Sequence, residues 1–61
     1  MDDNILEVAY IFNNTEGITE LTVPANNIEQ RNGWVLALYD DKVIGGVKEE
    51  YLKGFYIRLS K

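Results

Sequence analysis

The stretch NGWVLALYDDKVIGGV, residues 32–47, decides the fold class of this chain. Asn32-Gly33 stands between two apolar segments, and both residues tolerate the left-handed conformations of a type I′ hairpin turn. Residues 34–39 are apolar throughout and predict a central strand, which residues 40–42 end in a tight turn. Residues 43–47 predict the next strand, and their two glycines indicate a bulge or a close approach of backbones. Two hairpins therefore follow one another.

The segments on both sides extend this pattern. Residues 5–12 are rich in β-branched and aromatic residues and predict a first strand. A turn over residues 13–17 leads to a second strand over residues 18–23, which pairs with the first as a hairpin and ends at Pro24 because proline cannot donate to a ladder. Residues 25–31 fit either a loop anchored by Ile28 or a short strand that runs into the Asn-Gly turn.

Toward the C-terminus, residues 48–53 are too few for an independent helix and predict one helical turn that ends at Gly54. The last strand covers residues 55–59. The predicted fold is all-β, with about five antiparallel strands in a meander that forms a small barrel or a strongly bent sheet. Residues 1–61 make a single small domain, since a second core would need about twice the length. Trp34 and Phe55 are expected in the core, and the tyrosines along its edge or at an interface.

The first predicted strand indicates self-association. Its even positions are all apolar, and so are three of its four odd positions, whereas a strand over one core alternates apolar with polar residues. The chain contains no cysteine and no histidine, so neither a disulfide nor an imidazole metal site stabilises so short a chain. We therefore expect a homodimer or higher oligomer, paired through residues 5–12 as an edge strand. The predicted oligomer or partner interface consists of Ile5, Glu7, Ala9, Tyr10, Ile11 and Tyr56.

Charge bounds the classes of partner. The net charge is −4, and the first 33 residues carry six acids against Arg31. An acidic chain repels the phosphate backbone, which makes nucleic acid an unfavourable partner. The acids predict either a solvated surface or a face directed at a basic site on another protein. No membrane span and no secretory signal are evident, so we expect a cytoplasmic protein.

Catalysis has few candidate residues. Without histidine or cysteine the usual bases and nucleophiles are missing, and Ser60 stands next to the last residue. The adjacent acids at residues 40–41 and 49–50 point to opposite faces if they lie on strands, which is poor geometry for a catalytic pair. Asn26, Asn27 and Glu29 do not have the spacing of a calcium loop. We expect no enzyme activity, no metal and no cofactor.

A resemblance adds to this interpretation. The segment 33–45, GWVLALYDDKVIG, followed by Val47 and by LKGFYI at 52–57, resembles short all-β proteins of Gram-positive bacteria and their phages. They share a strand, an acidic turn, a strand, a short turn and a final strand, over about half of this chain. The resemblance implies the fold first. It also implies a stoichiometric inhibitor of a host enzyme or defence protein, as phages often encode.

Two functions from different classes remain at this point. The first is a non-catalytic protein-binding module that self-associates and acts as a phage-type inhibitor of a host protein. The alternative is a small-barrel protein that binds RNA or single-stranded DNA, with Trp34 and the tyrosines as a stacking platform. The sequence does not identify the partner.

Overall fold

The computed structural model describes residues 5–14, 17 and 19–60. Within these residues the chain forms six strands and one short 3₁₀ helix, η1, so the all-β prediction is confirmed. The strands exceed the expected five because residues 27–31 form a strand and not a loop. The elements are β1 (Ile5–Phe12), β2 (Glu20–Pro24), β3 (Asn27–Arg31), β4 (Trp34–Tyr39), β5 (Lys42–Lys48), η1 (Glu49–Tyr51) and β6 (Leu52–Ser60).

The strands form two antiparallel sheets of three. Sheet A has the order β2-β1-β6, and sheet B has the order β3-β4-β5. The two sheets are not closed into a barrel. The predicted antiparallel meander is therefore divided into two sheets. β4 is the central strand of sheet B, as the sequence predicts. β1 is also a central strand, because β2 and β6 pair with its two sides, and the expectation that it forms an edge is wrong.

The chain crosses between the sheets at residues 25 and 26. The Ala25 amide donates to the Leu6 carbonyl oxygen in sheet A at 3.2 Å, and the Asn26 amide donates to the Leu38 carbonyl oxygen in sheet B at 2.9 Å. Neighbouring amides are thus satisfied by different sheets, and the buried Ala25 lies at this crossing. A small side chain suits a position where the backbone turns from one layer into the other.

The core lies between the sheets. Its fully buried members come from both sheets and from the crossing: Val8, Tyr10, Ala25, Val35 and Ala37. Partly buried side chains pack around them: Phe12, Val23, Ile28, Val47, Leu52 and Phe55. The even positions of β1 and the odd positions of β4 therefore face inward. Burial of Tyr10 differs from the expectation that the tyrosines lie at an edge or an interface.

Two turns of sheet B have the same left-handed backbone. Asn32 and Gly33 have φ values of 51° and 81°, which confirms the predicted type I′ turn. Asp40 and Asp41 have φ values of 52° and 70° without a glycine. The side chain of Asn26 holds this second turn, since its oxygen accepts from the Asp40 amide at 3.2 Å and its amide donates to the Asp40 carboxylate at 3.3 Å.

β1 and β2 pair as a hairpin, which confirms the prediction, but β2 begins at Glu20 and not at residue 18. Ile18 of the predicted strand and Thr15 and Glu16 of the predicted turn lie outside the described residues. The Phe12 amide donates to the Thr19 carbonyl oxygen at 2.9 Å and closes the connection. Pro24 is the last residue of β2, as its missing amide hydrogen predicts.

Both irregular ladders occur next to glycines. In sheet B, Ala37 pairs with Gly45 and Leu38 with Val43, so Ile44 is an extra residue on β5. The predicted bulge is therefore present. In sheet A, Lys53 is the extra residue at the start of β6. The helical turn ends at Tyr51, and the amide of the capping residue Leu52 donates to the Glu49 carbonyl oxygen. Gly54, the predicted end of the turn, belongs to β6.

Candidate interaction surfaces

The predicted interface residues are divided between the two faces of sheet A. Five of them lie on the outer face, since the odd positions of β1 point away from the core and Tyr56 pairs with Ala9. Tyr10 lies on the inner face and is fully buried. Ala9 lies on the outer face and is also fully buried. Neither side chain offers surface to a partner in the folded monomer. Ile5 is 52% exposed and Tyr56 is 42% exposed, whereas Glu7 and Ile11 are half-buried.

Arg58 organises the outer face of sheet A from within the chain. It pairs directly with Glu7 across β1 and β6, and its Nε donates to the Glu7 carboxylate at 2.7 Å. Its Nη2 lies 2.9 Å from the Glu20 carboxylate, and its Nη1 donates to the Tyr56 hydroxyl at 2.9 Å. The hydrogen bond to Glu7 raises the pKa of Arg58 above its usual value. Arg58 of the same chain thus covers part of the β1 surface that the sequence assigns to a second subunit.

In sheet B, the second face of the central strand β4 is apolar and partly exposed. The even positions of β4 point away from Val35 and Ala37 and therefore lie on the outer face of the sheet. Trp34 is 40% exposed, and Val43, which pairs with Leu38 beside the bulge, is 52% exposed. We call the outer stripe the row formed by Trp34, Leu36, Leu38 and Val43. Its two ends are exposed, whereas Leu36 is half-buried and Leu38 is buried.

Gly46 shapes the middle of the outer stripe. A Cβ atom at Gly46 would lie 2.9 Å from Leu36 Cδ2 and 3.7 Å from Trp34 Cε3. The missing side chain therefore lets Leu36 lie across β5 and brings it beside the indole. This is the close approach that the glycine pair predicts. The stripe is consequently continuous over two strands and not confined to β4.

Charged residues border the outer stripe on both sides. On β5, Lys48 Nζ lies 5.8 Å from the centre of the Trp34 ring. Lys42 pairs with Tyr39 and therefore lies on the opposite face of the sheet. On β3, Arg31 forms an ion pair with Glu29. Among the ion pairs within the described residues, none involves Lys42 or Lys48. The β5 side of the stripe is therefore the positively charged side.

The exposure of Trp34 contradicts the expectation that it lies in the core. All six residues of β4 are apolar, so the sequence alone does not distinguish the inner positions from the outer ones. The signal that could have decided the question is Gly46, which pairs with Leu36. A glycine that pairs with a large side chain leaves space beside that side chain. A densely packed core would fill such a space, so the glycine indicates that Leu36, and with it Trp34, lies on the outer face.

The cationic and acidic side chains of the described residues have the following contacts. Both described arginines are bound to carboxylates, Arg58 to Glu7 and Glu20 and Arg31 to Glu29. Lys48 lies over one face of Trp34, and the Arg58 guanidinium lies 5.6 Å from the centre of the Tyr56 ring. In residues 5–14, 17 and 19–60, no three acidic side chains are grouped as metal ligands would be.

The comparisons with protein-family models, with curated proteins and with solved structures found no match. In the part of the chain that the structure describes, no helix is long and apolar enough to cross a membrane. Any functional assignment therefore rests on the surfaces themselves.

Proposed function

We propose that this chain is a non-catalytic protein-binding module that self-associates, and that its outer stripe binds the partner protein. The observation that carries the proposal is the partly exposed apolar face of β4 and β5, where the exposed Trp34 and Val43 flank the half-buried Leu36. A three-stranded sheet needs only one apolar face for its own core. The second face is available for another protein.

The chemistry of the border indicates the kind of partner. Lys48 stands at the end of β5 beside the stripe and pairs with Trp34, while the charges on β3 are neutralised within the strand. The complementary surface has an apolar side chain that fills the space beside Trp34 and a carboxylate that faces Lys48. The proposed occupant is therefore an apolar protein surface with an acidic border.

Trp34 is the side chain from which binding gains most. Aromatic residues with a large apolar body and a polar edge are frequent hot spots of protein interfaces. Burying its exposed 40% would remove on the order of 100 Å² from water, which contributes about 2.5 kcal/mol. We expect Trp34→Ala to weaken binding by ~10-fold to ~100-fold.

In its narrower form, the proposal is that the bound protein is a host or defence protein and that binding inhibits it.

Photo-crosslinking tests the outer stripe and identifies the partner in the same experiment. A photoreactive amino acid replaces Trp34 in one variant and Thr22, which is exposed on β2 in sheet A, in a control variant. We expect one host protein to be crosslinked through position 34 and not through position 22. The captured protein is then purified and titrated with the unlabelled chain.

Two further variants define the contact in that titration. Leu36→Asp should abolish binding, because it places a carboxylate in the middle of the apolar row. Lys48→Glu should weaken binding more at low salt than at high salt, since its contribution is electrostatic. Equal crosslinking from both positions, or crosslinking to nucleic acid in preference to protein, would contradict the proposal.

A further inference from the structure

The two sheets have four edge strands, and three of them carry features that oppose the addition of a further strand. β2 has five residues and ends in Pro24. β3 has five residues and carries the Glu29–Arg31 ion pair. β5 is interrupted by the bulge at Ile44 and has a lysine at each end. Short length, proline, charge and bulges are the usual means by which proteins protect an edge.

β6 differs from these three strands. It is nine residues long, and from Gly54 to Ser60 its register with β1 is continuous. β3 approaches β6, yet in the described residues the two form no ladder, and β6 remains at the edge of sheet A. Three of its large apolar side chains are exposed, namely Tyr56 at 42%, Ile57 at 37% and Leu59 at 59%. Beyond the bulge at Lys53, the segment from Gly54 to Ser60 is thus long, regular and mostly apolar, with Arg58 as its one charge.

We infer that two copies of the chain pair antiparallel along β6, so that two copies of sheet A become one six-stranded sheet. This inference deepens the self-association of the proposed function and does not depend on the outer stripe. The occupant is a second copy because a strand paired antiparallel with itself has two-fold symmetry, which gives a closed dimer. The strand order would be β2-β1-β6 followed by β6-β1-β2 of the second copy.

The two faces of β6 select the register. Directly opposed residues of an antiparallel pair point to the same face of the sheet. The two-fold axis at the centre of the pair must therefore pass through a residue position, because an axis between two residues would oppose neighbours that point to different faces. A centre at Arg58 would oppose two arginines, and a centre at Tyr56 would place Leu59 against a lysine of the second copy. A centre at Ile57 avoids both. It is also the middle residue of the regular segment, so all seven residues from Gly54 to Ser60 are paired.

The register centred on Ile57 produces favourable pairs on both faces. On the inner face, Ile57 meets its own copy and Leu59 meets Phe55 of the second copy. On the outer face, Arg58 meets Tyr56 of the second copy, which repeats the cation–aromatic contact that these residues make within one chain. Apolar and aromatic cross-strand pairs stabilise a sheet, so each face contributes.

Single-cysteine variants test the register, because the chain contains no cysteine of its own. In the inferred dimer the two Ile57 positions are directly opposed, at a Cα separation of about 4.5–5.5 Å, within the range of a disulfide. The two Leu59 positions are four residues out of step, or about 13 Å apart along the strand, which is too far. We expect oxidised Ile57→Cys to form a disulfide-linked dimer at least ~10-fold faster than the matched control Leu59→Cys.

Sedimentation of the unmodified chain and of Leu59→Lys accompanies this experiment. The unmodified chain should sediment as a dimer and dissociate on dilution. Leu59→Lys should sediment as a folded monomer of about 7.0 kDa, since this exposed side chain would face Phe55 of the second copy. Circular dichroism checks that the variant remains folded.

The outcomes separate this inference from the outer stripe. Leu36→Asp should abolish partner binding and leave the crosslinking of Ile57→Cys unchanged. The inference is overturned if the unmodified chain is a monomer from low micromolar concentration upward, or if the two cysteine variants crosslink at the same rate. If Leu36→Asp alone dissociates the dimer, the copies associate through sheet B and not through β6.

Discussion

The hydroxyl group of Tyr10 on β1 donates a hydrogen bond to the backbone carbonyl oxygen of Val35 on β4, with an O···O distance of 3.1 Å. Both residues are fully buried, and each belongs to the central strand of its sheet. The bond therefore connects the middle of sheet A to the middle of sheet B. In a chain with few buried residues, this polar contact fixes how the two sheets pack.

Tyr10→Phe should lower the free energy of unfolding by about 1 kcal/mol, the usual net contribution of a hydrogen bond in a folded protein. The ring is kept, so the change reports the hydroxyl group and not a cavity. Tyr51→Phe is the control, because Tyr51 is 55% exposed, and its effect should stay within about 0.5 kcal/mol. Urea unfolding followed by Trp34 fluorescence measures both, and equal effects would contradict the role of the Val35 contact.

Stability should also decrease at alkaline pH because of Tyr10. Burial raises the pKa of Tyr10 above its ordinary value of 10.0. The folded state then keeps a proton that the unfolded state has lost, so the stabilisation is complete below pH 10.0 and decreases as the pH rises above that value toward the folded pKa. Tyr10→Phe should unfold with a flatter pH dependence above pH 10.0. Identical slopes for the two proteins, measured in urea, would show that this proton is not linked to folding.

The turn between β4 and β5 has a position where glycine should stabilise the fold. Asp41 has a φ of 70° and makes no side-chain hydrogen bond within the described residues, whereas Asp40 is held by Asn26. Left-handed backbone costs a non-glycine residue about 1 kcal/mol. Asp41→Gly should raise the free energy of unfolding by a similar amount, about 1 kcal/mol.

The matched control for that turn is Gly33→Ala. Gly33 has a φ of 81°, and no atom lies within 4 Å of the position where its Cβ would be. The substitution therefore tests backbone strain alone and should lower the free energy of unfolding by about 1–2 kcal/mol. Thermal melts of both variants measure the pair. A loss of stability in Asp41→Gly would mean that the Asp41 carboxylate stabilises the fold.

The glycine pair of β5 should respond unequally to alanine. At Gly45 a Cβ would meet Val23 Cγ1 at 3.9 Å, an ordinary contact across the two sheets, so Gly45→Ala should raise the free energy of unfolding by about 0.5–1 kcal/mol. At Gly46 the Cβ would displace the end of the Leu36 side chain. Gly46→Ala should keep the fold and change the fluorescence of Trp34. An unchanged spectrum would show that Leu36 and Trp34 do not adjoin this backbone.

The Arg58 ion pairs should matter more than the Arg31 ion pair. Arg58→Met removes contacts to Glu7 and Glu20 and should lower the melting temperature, by less at high salt because exposed charges are screened. Arg31→Met is the control, since its pair with Glu29 lies within one strand and contributes little. Equal melting temperatures for the two variants would contradict the organising role of Arg58 on the outer face of sheet A.

Local signals in the sequence are sufficient for much of the fold. The Asn-Gly turn and the apolar run after it predict β4 as a central strand, and Pro24 marks the end of β2. The sequence does not decide β3, because Ile28 is its only large apolar residue and no alternation is visible. The strand forms because β4 offers its backbone, and such a partner is not visible in the segment itself.

The partner surfaces cannot be located in the same way. The sequence favours an edge position for β1 because nothing local shows that β6, about 50 residues later in the chain, pairs with its second side. For the same reason, the sequence does not assign Arg58 to Glu7, and the odd positions of β1 look uncovered. Which face of the wholly apolar β4 points outward depends on the twist and packing of both sheets.

The two sheets differ in how much of the chain each requires. Sheet B is built from the contiguous residues 27–48 through two tight hairpins, whereas sheet A joins β1 and β2 to β6 at the far end of the chain. Sheet B can therefore form before β6 has paired with β1, and until then one side of β1 is unpaired. Closing this long loop is the slow step expected of non-local pairing. Sheet A should therefore be completed last, when β6 reaches the free side of β1.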